Sequence, residues 1–337
     1  MKALRYLGPD KVQVMDVAKP AISDGEALVK VRYSGICGSD MAIVSGNHPR
    51  AKPPLVPGHE FSGTIAEIKP GSTKTNLKVG DPVTAFPLIT CGTCWACRNG
   101  ASHVCRKLNL IGIDCDGFMA EFARVPIKDL YKLPAGISMT KAAVIEPLAV
   151  GIHSVSMAQL KGNESVVVMG AGPIGLVVAI ALRQAGVSTL VLTDINATRL
   201  ALARQLGFDT LNVSGGDGAK QILDRTGGEG ADVVFEVAGS ADAAMQMAQL
   251  ARSRGKIILV SVHKKHHEVD LRSVNFKELT ILGTRVYTRE DFTKAVTLAD
   301  KLPIDKLVSH TVPLAQAEKG FDLMRNPDGV CKVLVES

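Results

Sequence analysis

The sequence has few aromatic residues and no block of consecutive basic residues. Phenylalanine, tryptophan and tyrosine make up 4% of the 337 residues, and the net charge is +6. Lysine and arginine are scattered singly and in pairs, which is typical of a solvated surface that favours anionic small molecules. Nucleic-acid-binding proteins instead cluster these residues on one face and interleave them with aromatics. We therefore expect no nucleic-acid partner.

The sequence also lacks a recognisable targeting segment and a membrane span. Residues Met1–Asp16 carry charges throughout and have no apolar stretch of signal-peptide length. The run Val166–Leu182 is uncharged, but three glycines and a proline divide it into a strand, a turn and a helix. The sequence therefore predicts a cytoplasmic protein with no membrane partner.

The cysteines are unevenly distributed, and a chain of this size gives no sign of a disulfide scaffold. There are seven, an odd number, and no secretion signal accompanies them. Four thiolates at short spacing can close a tetrahedron around zinc and leave no position open for chemistry. An iron–sulfur cluster is the alternative, but the last gap exceeds that of the bacterial ferredoxin pattern. We predict a structural zinc that orders a lobe over residues 90–107, and its ligands are Cys91, Cys94, Cys97 and Cys105.

The length and a change of pattern near residue 150 predict two domains. Residues 1–150 contain short β-type runs between turn residues, which predict an irregular, barrel-like β domain. From residue 151 apolar strands alternate with amphipathic helices, which predicts a parallel, doubly wound sheet. Periodicity alone does not assign the segment after about residue 290 to either domain. The predicted strands are Ala27–Tyr33, Ser62–Ile68, Pro82–Ala85, Phe118–Val125, Ser165–Met169, Thr189–Thr193, Asp232–Glu236, Lys256–Val262, Leu279–Gly283, Val308–Val312 and Val330–Val335. The predicted helices are Ile174–Ala185, Ala197–Leu206, Asp242–Ala251 and Glu290–Lys301.

A glycine-rich turn lies between a predicted strand and a predicted helix of the second domain. In this context the pattern G-x-G-x-x-G predicts a dinucleotide site. The first glycine permits a tight turn, and the second lets a pyrophosphate approach the backbone at the helix N-terminus. The third lets the helix pack closely on the strand. The residues of this glycine loop are Gly170, Ala171, Gly172, Pro173, Ile174 and Gly175.

The acidic residue that accompanies such a loop is Asp194, at the end of the next predicted strand. Its carboxylate can accept hydrogen bonds from ribose hydroxyls and would repel a 2′-phosphate, so we predict NAD rather than NADP. Arg199 has two interpretations: it flanks the adenine, or it is a solvated helix residue. Val237 follows one predicted strand, and Val260 and Val262 stand at the end of the next. All three are predicted to line the nicotinamide site.

A third set of chemically suited residues is dispersed along the chain. Each has an ordinary interpretation: a small buried residue, a core histidine, a surface charge and a helix N-terminal acid. Only together do they provide the sulfur, nitrogen and oxygen ligands of a catalytic metal site. The residues are Cys37, His59, Glu60 and Glu146.

In order and spacing, these segments resemble the zinc-containing medium-chain alcohol dehydrogenase family over essentially the whole chain. The likeness is closer to the polyol branch, which includes sorbitol, galactitol-phosphate, sugar-acid and butanediol dehydrogenases. The segments that carry it are Gly35–Asp40, Pro57–Gly63, the four-cysteine lobe, Ile145–Leu148 and the glycine loop.

The resemblance implies a GroES-like β-barrel catalytic domain over residues 1–150 and 291–337. This domain would be split by a Rossmann NAD-binding domain over residues 151–290. The resemblance also implies two zinc ions per chain, one catalytic and one structural, with NAD as the cofactor. Most members of the family are dimers or tetramers, so we expect a homodimer or homotetramer.

The same likeness implies roles for the dispersed residues. The catalytic zinc ligands would be Cys37 and His59, completed by Glu60, Glu146 or water. Ser39 would relay the proton of the substrate hydroxyl. Many relatives have a histidine where this chain has Ala42, so water or another group would take over that step. The pair Glu146-Pro147 also differs from the Asp-Pro of threonine dehydrogenases.

The expected activity is zinc-dependent hydride transfer from a secondary alcohol to NAD, on a polyol, a sugar acid or a phosphorylated polyol. L-threonine 3-dehydrogenase and butanediol dehydrogenase are the alternatives within the class. A zinc-free quinone reductase of the same superfamily would not need Cys37, His59 or Glu60. A non-enzymatic binding protein of the same fold is the last alternative.

The loop between the Cys37 and His59 segments gives one expectation about the substrate. His48, Arg50 and Lys52 offer donors suited to a carboxylate or phosphate, which predicts an acidic substrate. The alternative is that these are ordinary solvated loop charges. Arg285 is a second candidate, just past the predicted strand Leu279–Gly283.

Overall fold

The structure is a computed structural model that describes residues 1–263, 265–326 and 328–337. The chain forms two compact units. Unit 1 comprises Met1–Glu146 and Thr288–Ser337, and unit 2 comprises Pro147–Tyr287. Within the described residues, no helix combines the length and apolarity needed to cross a bilayer.

Strands and helices are numbered in chain order. The strands are β1 (Lys2–Gly8), β2 (Lys11–Asp16), β3 (Glu26–Gly35), β4 (Glu60–Lys69), β5 (Pro82–Ala85), β6 (Leu88–Ile89), β7 (Asn109–Leu110), β8 (Phe122–Pro126), β9 (Leu130–Lys132), β10 (Ser165–Met169), β11 (Thr189–Asp194), β12 (Asp209–Asn212), β13 (Ala231–Glu236), β14 (Ala251–Leu259), β15 (Thr280–Gly283), β16 (Val308–Pro313) and β17 (Lys332–Glu336). The helices are α1 (Gly38–Val44), α2 (Trp95–Arg98), α3 (Met139–Ala142), α4 (Ile145–Ala158), α5 (Pro173–Gln184), α6 (Ala197–Gln205), α7 (Gly218–Arg225), α8 (Ala241–Leu250), α9 (Leu271–Phe276), α10 (Arg289–Leu298) and α11 (Ala317–Arg325).

Unit 2 is built on a parallel sheet with the strand order β12-β11-β10-β13-β14-β15. β10 lies inside this sheet, and its run of valines, Val166–Val168, is buried. Strands covered on both faces read as continuous apolar runs, which is why this segment is predictable. The following helix α5 is buried from Gly175 to Leu182. The predicted parallel, doubly wound sheet is confirmed.

Two predicted strands differ from the structure by three or more residues at one end or both, whereas the others agree to within two residues. The predicted strand Lys256–Val262 belongs to β14, which ends at Leu259. The amide of Val260 makes the last regular ladder bond, to the carbonyl of Glu236 at 2.9 Å. The strand ends there because the amide of Ser261 turns back to the same carbonyl, at 3.2 Å. The strand predicted from Phe118 begins only at Phe122, as β8.

Unit 1 contains a mixed sheet with the order β16-β17-β3-β4-β5-β9, and β8 also pairs with β3. The long antiparallel pair of β3 and β4 brings Gly35 opposite Glu60. The last strand, β17, also pairs with β3, with Leu334 opposite Gly35. The end of the chain therefore belongs to the same unit as its beginning. A core that includes Phe61, stacked on Phe118, lies against this sheet.

Candidate metal and cofactor sites

The dispersed candidate ligands of unit 1 meet where β3 and β4 pair. Cys37 follows the end of β3 and precedes α1, and His59 and Glu60 stand at the start of β4. One ligand atom from each of Cys37, His59 and Glu60 lies within 4.8 Å of the others. His59 and Glu60 are buried, at 5% and 1% exposure. Thiolate, imidazole and carboxylate at this spacing are a donor set that fits zinc.

Asp40, a residue that sequence reasoning missed, ties this set together. Its Oδ2 accepts a hydrogen bond from the amide of Cys37 at 2.8 Å, and its Oδ1 accepts one from Gly58 at 3.2 Å. Oδ1 also lies 4.0 Å from Nδ1 of His59. Burial alone would lower the pKa of His59, but the nearby Cys37 and Asp40 outweigh it and raise that pKa well above the ordinary value. The cluster therefore favours positive charge, as a metal site should.

Glu60 has a buried partner that sequence reasoning also missed. Nζ of Lys332, on β17, lies 2.7 Å from Oε1 of Glu60, and the two side chains are 4% and 1% exposed. Among the described residues, Oε2 has no hydrogen-bond partner. This oxygen packs against Gly35, where an added Cβ would lie 2.1 Å from it. One carboxylate oxygen is thus held by a lysine, while the other remains available.

Glu146 and Ser39 lie near the same cluster. Glu146 is in the first turn of α4, is 6% exposed, and is among the charges that raise the pKa of His59. Its oxygens are not within the group of ligand atoms formed by the other three residues. Oγ of Ser39, in α1, is buried and has no hydrogen-bond partner in the described part of the chain. A ligand oxygen could satisfy it.

The four cysteines of the lobe form a second, closed set. The sulfur of Cys91 lies 4.0 Å from that of Cys97 and 3.4 Å from that of Cys105. The sulfur of Cys94 lies 3.6 Å from that of Cys97 and 3.8 Å from that of Cys105. A tetrahedral ZnS4 centre with ordinary bond lengths has S–S edges of about 3.8 Å. The geometry therefore fits a zinc ion with no open position.

Hydrogen bonds to the sulfur atoms prepare the lobe for a metal. Donors from the backbone and hydroxyl of Thr93 and the amide of Cys94 lower the pKa of Cys91 to about 5. The thiolate is the form that binds metal. Helix α2 contains no buried residue, and Trp95 is 71% exposed. Because the lobe buries so little apolar surface, a metal would supply most of its order.

The glycine loop of unit 2 has the geometry that its sequence predicts. Gly170 has a φ of 111°, in the region that favours glycine. A Cβ on Gly175 would lie 1.9 Å from the carbonyl oxygen of Gly170, so only glycine fits there. A Cβ on Gly172 would point into open space, with the nearest atom 4.0 Å away on Arg199. Pro173 begins α5, so the N-terminus of that helix opens at a place with room for a phosphate.

Asp194 and Arg199 both lie beside this loop. Oδ2 of Asp194 accepts a hydrogen bond from the amide of Ala171 at 2.8 Å, and Oδ1 accepts one from Asn196 at 2.9 Å. Nη1 of Arg199 is 3.8 Å from Oδ2 of Asp194, and its Nε is buried without a partner among the described residues. Arg199 is therefore not a freely solvated helix residue.

The three valines predicted near the nicotinamide have different surroundings. The amide of Val237 donates to Met169 at 3.0 Å, and the carbonyl carbon of Val237 would be 3.4 Å from a Cβ on Gly170. Val260 is half-buried just beyond β14. Val262 is 89% exposed.

The basic loop residues are placed differently from one another. Nη1 of Arg50 donates to the carbonyl oxygen of Leu108, and Nη2 is 3.3 Å from Oδ2 of Asp114. Nδ1 of His48 accepts the amides of Arg50 and Ala51 at 3.3 and 3.2 Å, and burial together with Arg50 lowers its pKa. Lys52 and Arg285 are exposed. The expectation that Arg50 is free to bind a substrate anion is not supported, because its guanidinium already has acceptors inside unit 1.

Two protein families match parts of this chain. The alcohol dehydrogenase GroES-like domain family matches residues 23–135, and the zinc-binding dehydrogenase family matches residues 173–301. The chain is 38% identical to 2-dehydro-3-deoxy-L-galactonate 5-dehydrogenase of Pseudoalteromonas atlantica, over 100% of this chain and 98% of that one. The chain belongs to the zinc-binding dehydrogenase family. The present chain is also 36% identical to L-threonine 3-dehydrogenase of Bacillus velezensis, over 92% of this chain and 91% of that one.

A solved structure extends the likeness to three dimensions. A protein described as a zinc-binding dehydrogenase from Sinorhizobium meliloti, bound to NADP, has a TM-score of 0.93 and 33% identity. The match covers 100% of this chain and 99% of that one. These findings confirm the predicted family and the predicted combination of a GroES-like and a Rossmann domain. The dehydrogenase is an oxidoreductase that acts on the CH–OH group of a small-molecule alcohol, with zinc and a nicotinamide cofactor.

Proposed function

We propose that this dehydrogenase oxidises a secondary alcohol of a sugar acid or polyol, with NAD, at a zinc ion held by Cys37, His59 and Glu60. The observation that carries the proposal is the convergence of these three ligand atoms within 4.8 Å at a buried place. The named activity of the Pseudoalteromonas relative supports the sugar-acid class. In this proposal unit 1 is the catalytic domain and unit 2 the cofactor-binding domain.

Glu60 is the carboxylate that we propose as the third ligand. One of its carboxylate oxygens belongs to the cluster. Oε2 has no partner in the described residues, whereas Oε1 is fixed by Lys332, so we propose Oε2 as the ligand atom. Glu146 is close enough to act on His59 but lies outside the cluster of ligand atoms, so we assign it an electrostatic role. Asp40 orients His59 and the Cys37 amide, as carboxylates that accompany metal-bound histidines commonly do.

The zinc ion, the cofactor and Ser39 have separate roles in the proposed reaction. Zinc would supply the Lewis acidity that lowers the pKa of an alcohol, and the nicotinamide would supply the hydride acceptor. Ser39 carries a buried hydroxyl with no partner in the described structure, and we propose that it accepts the alcohol proton. Ala42 has no titratable group, so the proton continues from Ser39 by another route.

The cofactor preference and the oligomeric state are finer parts of the proposal. Asp194 places a negative charge beside the glycine loop, which favours NAD over NADP. Arg199 lies over the loop next to Gly172, so we propose that it flanks the bound cofactor. The proposal includes a closed structural zinc in the four-cysteine lobe and a homodimer or homotetramer.

A substrate panel tests the proposed activity. The zinc-loaded protein is assayed for NADH formation with a sugar acid, the matching neutral polyol, a phosphorylated polyol, butanediol and L-threonine. We expect the highest kcat/KM for the sugar acid or one of the polyols, and none of this activity in the Cys37→Ala variant. A higher kcat/KM for L-threonine than for all other substrates would instead assign the activity of the Bacillus velezensis relative. Absence of alcohol-dependent NADH formation with every compound would contradict the proposal.

A further inference from the structure

The segment that follows the four-cysteine lobe lies directly against the residue before His59. The amide of Gly117 donates to Val56 at 2.7 Å, and the amide of Met119 donates to Pro57 at 3.0 Å. The amide of Phe118 donates to the carbonyl of Gly58 at 3.0 Å. These bonds join residues 108–119, which we call the bridging segment, to residues 56–58, just before β4.

Glycines bring the two stretches of backbone into contact. A Cβ on Gly112 would lie 2.2 Å from the carbonyl oxygen of Gly58, and a Cβ on Gly117 would lie 2.1 Å from the same atom. Gly58 also donates its amide to Asp40, the residue beside His59. Because no side chain separates the two stretches of backbone, a displacement of the bridging segment would also displace Gly58. Through Asp40 it would then displace the Cys37–His59–Glu60 cluster.

Arg50 makes a second connection, between the bridging segment and the loop that lies between Cys37 and His59. It donates to Leu108 and pairs with Asp114 at 3.3 Å, and Asp114 in turn accepts the amide of Leu110 at 2.9 Å. Leu108 donates its own amide to the carbonyl of Cys105 at 3.1 Å. A series of contacts thus runs from Cys105, the last cysteine of the lobe, through the bridging segment to the loop between Cys37 and His59.

The four-cysteine lobe can hold the bridging segment in place only if the lobe itself is ordered. Neither α2 nor the turn Ser102–Val104 contains a buried residue, so apolar packing does little there. The amide of Lys107 donates to the sulfur of Cys105 at 3.3 Å, and the sulfur of Cys105 lies within 4 Å of two other sulfurs. A metal in the four-cysteine set would therefore fix the point from which the bridging segment starts.

We infer that Arg50 is a positioning residue through which the four-cysteine lobe holds the Cys37–His59 site in its metal-binding geometry, by way of Leu108 and Asp114. The inference rests on the proposed function, because it assumes metal in both sites. It assigns the closed zinc site a role in retaining the catalytic metal. It also replaces the interpretation of Arg50 as a residue that binds the substrate anion.

Metal release tests this inference without any turnover. The zinc-loaded protein is mixed with a chromogenic chelator, and zinc leaving the open site is followed by absorbance. Emission of Trp95, the only tryptophan in the chain, reports the order of the lobe. Arg50→Ala should speed release from the open site by about 10- to 100-fold, the usual cost of losing a group that orients a metal ligand. Trp95 emission should stay unchanged, and Arg50→Lys, which lacks the planar fork, should restore the rate only in part.

Lys52→Ala is the matched control, since Lys52 is an exposed cation of the same loop. It should leave zinc release unchanged. Cys94→Ser, which opens the lobe, should speed release from the open site. Adding Arg50→Ala should increase that rate little further, because Arg50 acts through the bridging segment, whose start Cys94→Ser has already released. Should Cys94→Ser fail to fold, Asp114→Asn takes its place in the cycle, with an effect on release in the same direction.

Two results would overturn the inference. One is an unchanged release rate in Arg50→Ala, especially with a KM that rises for a sugar acid and not for the matching neutral polyol. The other is a double variant whose rate is the full product of the two single effects. Because zinc release is measured without substrate, an inactive substrate panel would contradict the proposed function and leave this test intact.

Discussion

At the scale of single residues, Glu60 of the Cys37–His59–Glu60 cluster forms a buried ion pair with Lys332. Removing one member of such a pair leaves an uncompensated charge. Lys332→Met should therefore lower the free energy of unfolding by about 3–5 kcal/mol, as measured by urea denaturation. The loss should be larger in metal-free protein, where no zinc ion balances the Glu60 carboxylate.

The pair of Lys2 and Asp16 provides the control for this prediction. It has the same 2.7 Å separation, but its side chains are 53% and 75% exposed. Water and salt screen such a pair, so Lys2→Met should change stability little. Equal losses in the two lysine variants would show that burial of Lys332 adds nothing.

Asp194 is the residue on which cofactor choice should depend. Loss of a hydrogen bond to a charged group costs about 1.5–3 kcal/mol, so Asp194→Ser should weaken NAD binding by about 10- to 100-fold. The substitution also removes the charge beside Arg199, whose guanidinium then becomes available to a 2′-phosphate. NADP use should rise in Asp194→Ser and fall again when Arg199→Ala is added. Kinetics with both cofactors decide this, and a wild-type kcat/KM that is higher for NADP would contradict it.

Sequence reasoning named the metal-ligand candidates but not the residues that support them. Cys37, His59 and Glu60 stand in short motifs whose spacing carries chemical information. Lys332 was not predictable, because it is 272 positions from Glu60 and joins it only through the pairing of β17 with β3. Asp40 lies within a recognised motif, yet its role depends on the geometry of Gly58, which the sequence does not show.

At the scale of elements, the sequence predicts buried apolar strands well, and it does not predict polar strands or strand ends that depend on backbone hydrogen bonds. The strand predicted over Ser165–Met169 has those bounds in the structure, because an apolar run between turn residues allows little choice. The short strand β12 begins with aspartate and ends with asparagine, so no apolar pattern in the sequence predicts it. β14 stops before Val262 because the amide of Ser261 turns back to the carbonyl of Glu236, which the hydrophobic pattern does not indicate.

The four-cysteine lobe is the element whose integrity should depend most on metal. Elemental analysis should find two zinc ions per chain, one in this closed set and one in the open mixed site. A mild chelator should remove the open-site ion first and abolish activity while the fold persists. Cys37→Ala should retain one zinc ion, and that ion should be the less labile one. A single zinc ion in the native protein, together with unchanged metal content in Cys94→Ser, would show that the lobe holds no metal.

At the scale of the whole molecule, the two ends of the unit 2 sheet differ in how they are protected. β12 is bordered by polar residues, and its Asp209 pairs with Arg225 at 2.6 Å. β15 reads Thr-Ile-Leu-Gly without a charge, and it is the terminal strand on its side in the described sheet. The nearby helix α9 has no buried residue and exposes Leu271 and Phe276, at 69% and 74%. Uncharged edge strands beside apolar surface invite pairing with another chain.

We therefore expect the homo-oligomer to form across β15 and α9, with two copies related by a two-fold axis. Such an axis lets one strand edge pair antiparallel with its own copy, so a single surface suffices for both partners. Light scattering on the eluted protein should give the mass of a dimer or tetramer. Phe276→Glu together with Leu271→Glu should shift that mass downwards without unfolding the chain, because neither side chain packs in the core. Val79→Glu is the control, since Val79 is a 58% exposed apolar residue of unit 1. An unchanged mass in the α9 variant, or an equal fall in the control, would place the contact elsewhere.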